Sequence, residues 1–185
     1  TPRQGSAGGP DRSAGATTRD PRVGLSQPWR FVKVEATARR RVVWESFSRA
    51  NERALQGYEG EQRATYASLK LAGLKEAPVH LAVFSDEQTA TGSGLGLQTM
   101  PEMRRYSVVA AIQTLWLAAR AAGIGMGWVS ILDPREVTRA LDVPAGWKLV
   151  AYLCLGRPAE EHIDPELERH HWEERRYMGD VVFTR

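Results

Sequence analysis

Gly123-Ile124-Gly125-Met126-Gly127-Trp128-Val129-Ser130 is the stretch whose reading decides the fold. Glycines at alternate positions let main chain pass close to another group, because no Cβ stands in the way. In a dinucleotide-binding fold such glycines follow a strand and open a helix. Here the order is reversed: a long apolar helix runs up to Gly123, and a strand over residues 127–132 leaves the glycines. A Rossmann-type site is excluded by that order. What remains is a backbone that approaches a flat ring, with the Ser130 hydroxyl placed to donate or accept a hydrogen bond.

Working upstream, Thr99 and Glu102 form a capping-box pair with Pro101 in the first turn, so the central helix starts there and stops at Gly123. Residues 106–132 are apolar enough to be weighed as a membrane span. Gln113, Thr114 and Arg120 interrupt them and the glycines split them, so a helix buried on nearly all sides of a soluble core is the better reading. Earlier still, a strand over 29–35 follows Gln27-Pro28, and a helix over 38–55 carries Val43, Phe47, Ala50 and Ala54 on one stripe. A second helix, 61–75, stops before Pro78; a buried strand covers 79–84, and 91–96 is a glycine-rich loop.

Downstream, Asp133-Pro134-Arg135-Glu136 opens a helix with Asp133 as cap and Glu136 placed to answer it. The unbroken apolar run 148–155 predicts a strand buried on both faces. Helices and strands alternate unevenly, with long helices in pairs, which points to an α+β layer rather than a doubly wound fold.

The chain has 185 residues, 42% of them hydrophobic, enough for one core. The division expected is a disordered segment over 1–22, rich in Gly, Ser, Pro, Arg and Thr, and one domain over 23–185. The first residue is Thr1 rather than Met, so the chain reads as trimmed. A net charge of +3 with both signs interspersed shows no basic stripe, which argues against nucleic acid. Cys154 is the single cysteine and lies in the apolar run, so it reads as a buried thiol. With no disulfide possible within one chain and no signal peptide, a cytoplasmic setting is expected. His80, His162, His170 and His171 lack metal-ligand spacing, and Ser130 lacks a Gly-x-Ser-x-Gly elbow, so neither a metal site nor a hydrolase triad is expected. The polar tail 157–185 carries Trp172, Tyr177 and Phe183 and needs a surface to lie on, its own core or a partner subunit.

Gly24-Leu25-Ser26-Gln27-Pro28-Trp29 has two readings. It is either a proline turn with a core Trp, or a loop whose backbone and Gln27 amide face a ligand of mixed polarity, such as a flavin ring edge.

Taken in order, residues 23–32, Tyr66 with Ser68-Leu69-Lys70-Leu71, Ala77-Pro78, Pro101-Glu102-Met103, Tyr106-Ser107, Gln113 with residues 115–120, and Gly127-Trp128-Val129-Ser130-Ile131 resemble the flavin-cleaving branch of the nitroreductase family, the 5,6-dimethylbenzimidazole synthases. The likeness continues through Leu153-Cys154-Leu155-Gly156, Pro165-Glu166-Leu167 and Trp172, and so covers about residues 23–183. It implies a nitroreductase-like α+β fold with a mixed central sheet flanked by long helices, in a homodimer with an extended C-terminal tail. It also implies two FMN sites at the subunit interface, each built from both chains, with no membrane or nucleic acid involved.

In that branch reduced FMN is the substrate. Molecular oxygen adds to it, and the ring system is cut to release 5,6-dimethylbenzimidazole, the lower base of vitamin B12; NAD(P)H is the expected source of electrons for flavin reduction. By resemblance, Ser130 is the catalytic serine, Trp128 and Val129 lie along the flavin, and Arg175 pairs with the FMN phosphate. Val23, Gly24, Gln27 and Leu69 also fall in flavin-binding positions, and Arg22 stands where the family has a serine. The family's Arg-Arg-Asp-x-Arg helix has no match in residues 1–22, so weak FMN binding by these 185 residues is expected. The alternatives are an NAD(P)H-dependent FMN nitro or flavin reductase, and a degenerate flavin-binding remnant without activity.

Overall fold

In the computed structural model, residues 23–69 and 73–185 are described; Arg22 and the rest of 1–22 lie outside them. Four strands, β1 (Trp29–Lys33), β2 (Val79–Asp86), β3 (Gly125–Val129) and β4 (Trp147–Gly156), form one sheet in the order β1-β2-β4-β3. Every pairing among them is antiparallel, where a mixed sheet was expected. The reason lies in the strand order. β2 and β3 run the same way, as strands joined by one long helix do, but β4 inserts between them, and β2 likewise separates β1 from β4, which also run the same way.

The described residues form five α-helices, α1 (Thr37–Gln56), α2 (Gly60–Ser68), α3 (Met103–Ala121), α4 (Pro134–Leu141) and the short α5 (Glu166–Arg169), of which α1, α3 and α4 pack on the sheet. β2 and β4 alternate between two cores, as the two-residue period of a strand requires. Ala82, Phe84, Tyr152 and Cys154 face Val43 and Phe47 of α1 and Val137 and Leu141 of α4. Val83, Ala151 and Leu153 face Val108, Ile112 and Leu115 of α3. The expectation that the last strand is buried on both faces is met at residues 151–154.

Two local signals read from sequence hold, the Asp133 cap and the Gly123 stop. Asp133 caps α4, its carboxylate accepting from the backbone N–H groups of Arg135 (2.8 Å) and Glu136 (3.3 Å), and these two bonds hold its pKa below the usual carboxylate value. Glu136 does not reach back; it pairs with Arg49 of α1 instead. Gly123, at φ +70, ends α3 as expected.

Three expectations are corrected. The Thr99–Glu102 capping box does not form: Glu102 takes a helical backbone with no side-chain cap bond, and Met103 N–H already donates to the Met100 carbonyl at 3.1 Å. α2 ends at Ser68 rather than at 75, since Leu69 is extended and Gly73 takes φ +121 where the main chain closes on Cys154. Finally, α3 is not buried on nearly all sides. Its inner face carries Ser107, Val108, Ala111, Ile112, Leu115 and Ala119, while Tyr106, Val109, Trp116 and Leu117 stand exposed, because one sheet can cover only one side of a helix. Among the described residues no helix is long and apolar enough to cross a membrane.

Candidate active site

The sequence-predicted site residues fall into three groups, and one chain does not bring them together. The first group precedes β1. Gly24, Leu25 and Gln27 all take left-handed backbone, φ 54, 56 and 44, a region that non-glycine residues enter at a cost and that clusters at functional sites. The turn is held from several sides. Ser26 N–H donates to the Val23 carbonyl (2.9 Å), and Val23 N–H donates to the Ser107 hydroxyl on α3 (3.1 Å). Ser107 in turn donates to the Met103 carbonyl at 2.8 Å. The glycine-rich loop at 91–96 lies against Gly24, and Arg30 reaches back to the Gln27 carbonyl at 2.9 Å. The Gln27 side chain is exposed.

The second group ends β3. Trp128 is 46% exposed, Val129 is half-buried, and Ser130 is exposed. Ser130 sits just past the strand, which stops at Val129 rather than continuing to 132, because Leu132 N–H donates to the Ser130 carbonyl and turns the chain into the Asp133 cap. Its hydroxyl has no hydrogen-bond partner among the described residues, so it is available to a ligand.

Val32, Ala82, Tyr152 and Val129 form one row across the sheet, with β1 and β3 at opposite edges. Three inter-strand steps of roughly 4.8 Å separate those edges by about 14 Å. Gln27 and Ser130 therefore belong to different rims of the same chain.

The third group lies on α2 and the tail. Leu69 follows α2, its N–H donating to the Tyr66 carbonyl at 3.2 Å. Tyr66 donates to Asn51 at 2.7 Å and packs with Tyr58 and Trp172, ring centroids 4.9 and 5.9 Å away. Trp172 thus answers one question left open by sequence: the start of the tail rests on its own chain, while Tyr177 and Phe183 remain exposed. Arg175 pairs with Glu168 at 3.0 Å on the surface.

The buried titratable groups His80, Tyr152 and Cys154 near the sheet centre are not poised for chemistry, and burial raises the Tyr152 hydroxyl so that it stays protonated. Burial pushes the Cys154 thiol up to about 12, which keeps it protonated, and burial lowers His80. Sequence reasoning missed the supporting residues Ser107, Arg30, Asp86 and Gly92. Ser107 and Arg30 were within the matching motifs, but nothing local showed which atoms they hold.

Residues 14–157 match the model of the nitroreductase family, and the chain belongs to that family. It is 62% identical over 156 residues to the 5,6-dimethylbenzimidazole synthase of Rhodospirillum rubrum, spanning 84% of this chain and 74% of that one. A 5,6-dimethylbenzimidazole synthase of Rhodobacter capsulatus is 44% identical over 164 residues, 89% of this chain and 79% of that one. Among solved structures, iodotyrosine deiodinase bound to FMN and 3-iodo-L-tyrosine superposes with a TM-score of 0.64 at 23% identity, over 89% of this chain and 92% of that one. A BluB-like flavoprotein from Clostridium difficile 630 gives 0.65 at 16%, over 100% and 91%. These two likenesses establish the fold.

Proposed function

We propose that this chain is a 5,6-dimethylbenzimidazole synthase, a flavin-dependent oxidoreductase that fragments reduced FMN with molecular oxygen in the synthesis of the lower base of vitamin B12. The observation that carries this reading is the 62% identity to the Rhodospirillum rubrum synthase across 84% of the chain. The geometry fits a flavin. A flat ring with donors and acceptors on its edge suits an exposed indole, an amide and a hydroxyl, which Trp128, Gln27 and Ser130 supply.

Reduced FMN, as substrate, supplies both the electrons that oxygen takes up and the carbon skeleton of the product, with NAD(P)H reducing the flavin beforehand. The chain's own residues bind and orient. Ser130 hydrogen-bonds the reacting edge of the ring, Trp128 and Val129 line its face, and Leu69 borders it. Val23, Gly24 and Gln27, with Arg22, hold it from the other rim. Arg175 leaves Glu168 for the phosphate, a planar guanidinium being suited to that anion.

The two rims lie at opposite edges of a sheet whose faces are covered by α1 and α4 on one side and α3 on the other, so in this reading a single flavin meets both through a second copy of the chain. The homodimer that follows has two sites and uses the exposed α3 face, Tyr106, Val109, Trp116 and Leu117, as part of its interface. The reading places the enzyme in the cytoplasm.

Aerobic incubation of the protein with reduced FMN, followed by mass spectrometry, tests the activity. Release of 5,6-dimethylbenzimidazole is expected. Recovery of intact FMN, together with NAD(P)H-dependent reduction of nitroaromatics, would make the chain an ordinary reductase.

A further inference from the structure

Arg30 is used by nothing in the proposed chemistry, yet its guanidinium has an unusual set of partners. One nitrogen donates to the carbonyls of both Gln27 and Trp29, at 2.9 Å each, and the other pairs with Asp86 at 2.7 Å. Its central carbon lies 5.8 Å from the centroid of the Trp147 ring. The pair is not an ordinary surface ion pair: the two side chains are only 32% and 16% exposed, so solvent screens them poorly. Asp86 is itself fixed, its N–H donating to the Pro28 carbonyl at 2.8 Å and its carboxylate accepting from Gln88 N–H at 3.1 Å.

The residue held by this arrangement is Gln27, whose left-handed backbone, φ 44, is a conformation that a glutamine leaves unless its surroundings enforce it. The ends of β2 and β4 supply Asp86 and Trp147, and Arg30 transmits their position to the carbonyl of Gln27. We propose that Arg30, anchored by Asp86, is a positioning residue that holds the Gln27 turn in its flavin-receiving conformation before the flavin arrives. The inference rests on the flavin reading above and goes beyond it by assigning the affinity for FMN partly to two residues that do not touch it. A lysine in place of Arg30 keeps the charge facing Asp86 but cannot direct several N–H groups in a fixed plane at two carbonyls and a carboxylate together.

The test uses the full chain and the variants Arg30→Lys, Asp86→Asn and the double variant. FMN binding is measured by fluorescence quenching, product formation by kcat and KM for reduced FMN, and folding by thermal unfolding. Arg30→Lys is expected to raise both the FMN Kd and the KM about tenfold, with kcat within about twofold of the parent and the thermal midpoint nearly unchanged. Asp86→Asn is expected to shift Kd and KM in the same direction by less, and the double variant to match Arg30→Lys alone, because both substitutions open one clamp. Parent-like Kd and KM for Arg30→Lys would overturn the proposal, as would additive effects or a loss of kcat that follows a fallen midpoint. A parent that neither binds FMN nor releases 5,6-dimethylbenzimidazole would overturn the flavin reading itself, and the clamp with it.

Discussion

A Cβ built on Gly92 would stand 2.3 Å from the carbonyl oxygen of Gly24, so the glycine-rich loop meets the Val23–Leu25 turn main chain to main chain. Gly92 also has φ +85, so both space and backbone conformation exclude a side chain.

Gly92→Ala is therefore expected to displace the turn and weaken FMN binding. Gly94 is the control, since it has φ +73 but open space, with nothing within 4 Å of where a Cβ would stand. Gly94→Ala is expected to cost only the conformational term, about 1–2 kcal/mol, and to leave FMN affinity at the parent value. Urea unfolding and FMN titration of the two variants side by side check this; equal losses of affinity would remove the special role of the contact.

Ser130→Ala is expected to fold as the parent does and to lose most product formation. The side chain is exposed and its hydroxyl is unpaired among the described residues, so stability should move by less than about 0.5 kcal/mol. Removing a polar group aimed at the reacting ring lowers the rate by roughly a hundredfold or more where that group stabilises developing charge. Product formation at the parent rate would show that Ser130 has no part in the reaction.

Leu117→Asp is expected to produce a folded chain that stays monomeric. Leu117 is 55% exposed on the outer face of α3, so the charge meets water in the isolated chain and would meet an apolar surface in the proposed homodimer. Sedimentation at micromolar concentration separates the two species. A dimeric variant would place the interface elsewhere.

His80 gives the fold an acid limit. Burial is the main cause that lowers its pKa from the ordinary 6.5, followed by the charge of Arg40, with the Ala77 carbonyl opposing both. The neutral ring satisfies its two neighbours with one tautomer, Nε2–H donating to the Ala77 carbonyl at 3.1 Å and Nδ1 accepting from the Tyr152 hydroxyl at 2.9 Å. The unfolded chain takes up a proton near pH 6.5 and the folded chain only at lower pH, so the unfolded state binds more protons between the two values. Stability is therefore expected to be unaffected by His80 above the ordinary pKa and to fall as pH drops below it. Urea unfolding from about pH 7.5 to about pH 5 should show a shallower pH dependence in His80→Gln than in the parent. Identical slopes would assign the acid sensitivity to other groups.

Much of this protein is written locally. The order helix, glycines, strand around Gly123 excluded a dinucleotide site before any tertiary contact was known, and the apolar run at 148–155 announced a strand buried on both faces. Asp133 was legible as a cap because its partners are the next residues along the chain. The motifs from residue 23 to Trp172 were enough to place the chain in its family, since they are contiguous runs of residues. Glu102 failed as a capping partner because the turn from Met100 had already satisfied the main chain there, a competition that spacing alone does not reveal.

What only the tertiary structure decided depends on which strand lies beside which. The order β1-β2-β4-β3 keeps the strands that run the same way apart, so every described pairing is antiparallel, and it sends Gln27 and Ser130 to opposite rims of the sheet. The pairing of β1 with β2 brings Arg30 to Asp86 across 56 residues of sequence, and the packing of α3 on one side of the sheet leaves its other face uncovered. Local propensity acts over a turn or two of chain and selects helix, strand or cap. Strand order is chosen by how the apolar faces of all the elements are buried at once, and that sum has no signature in any single stretch of residues.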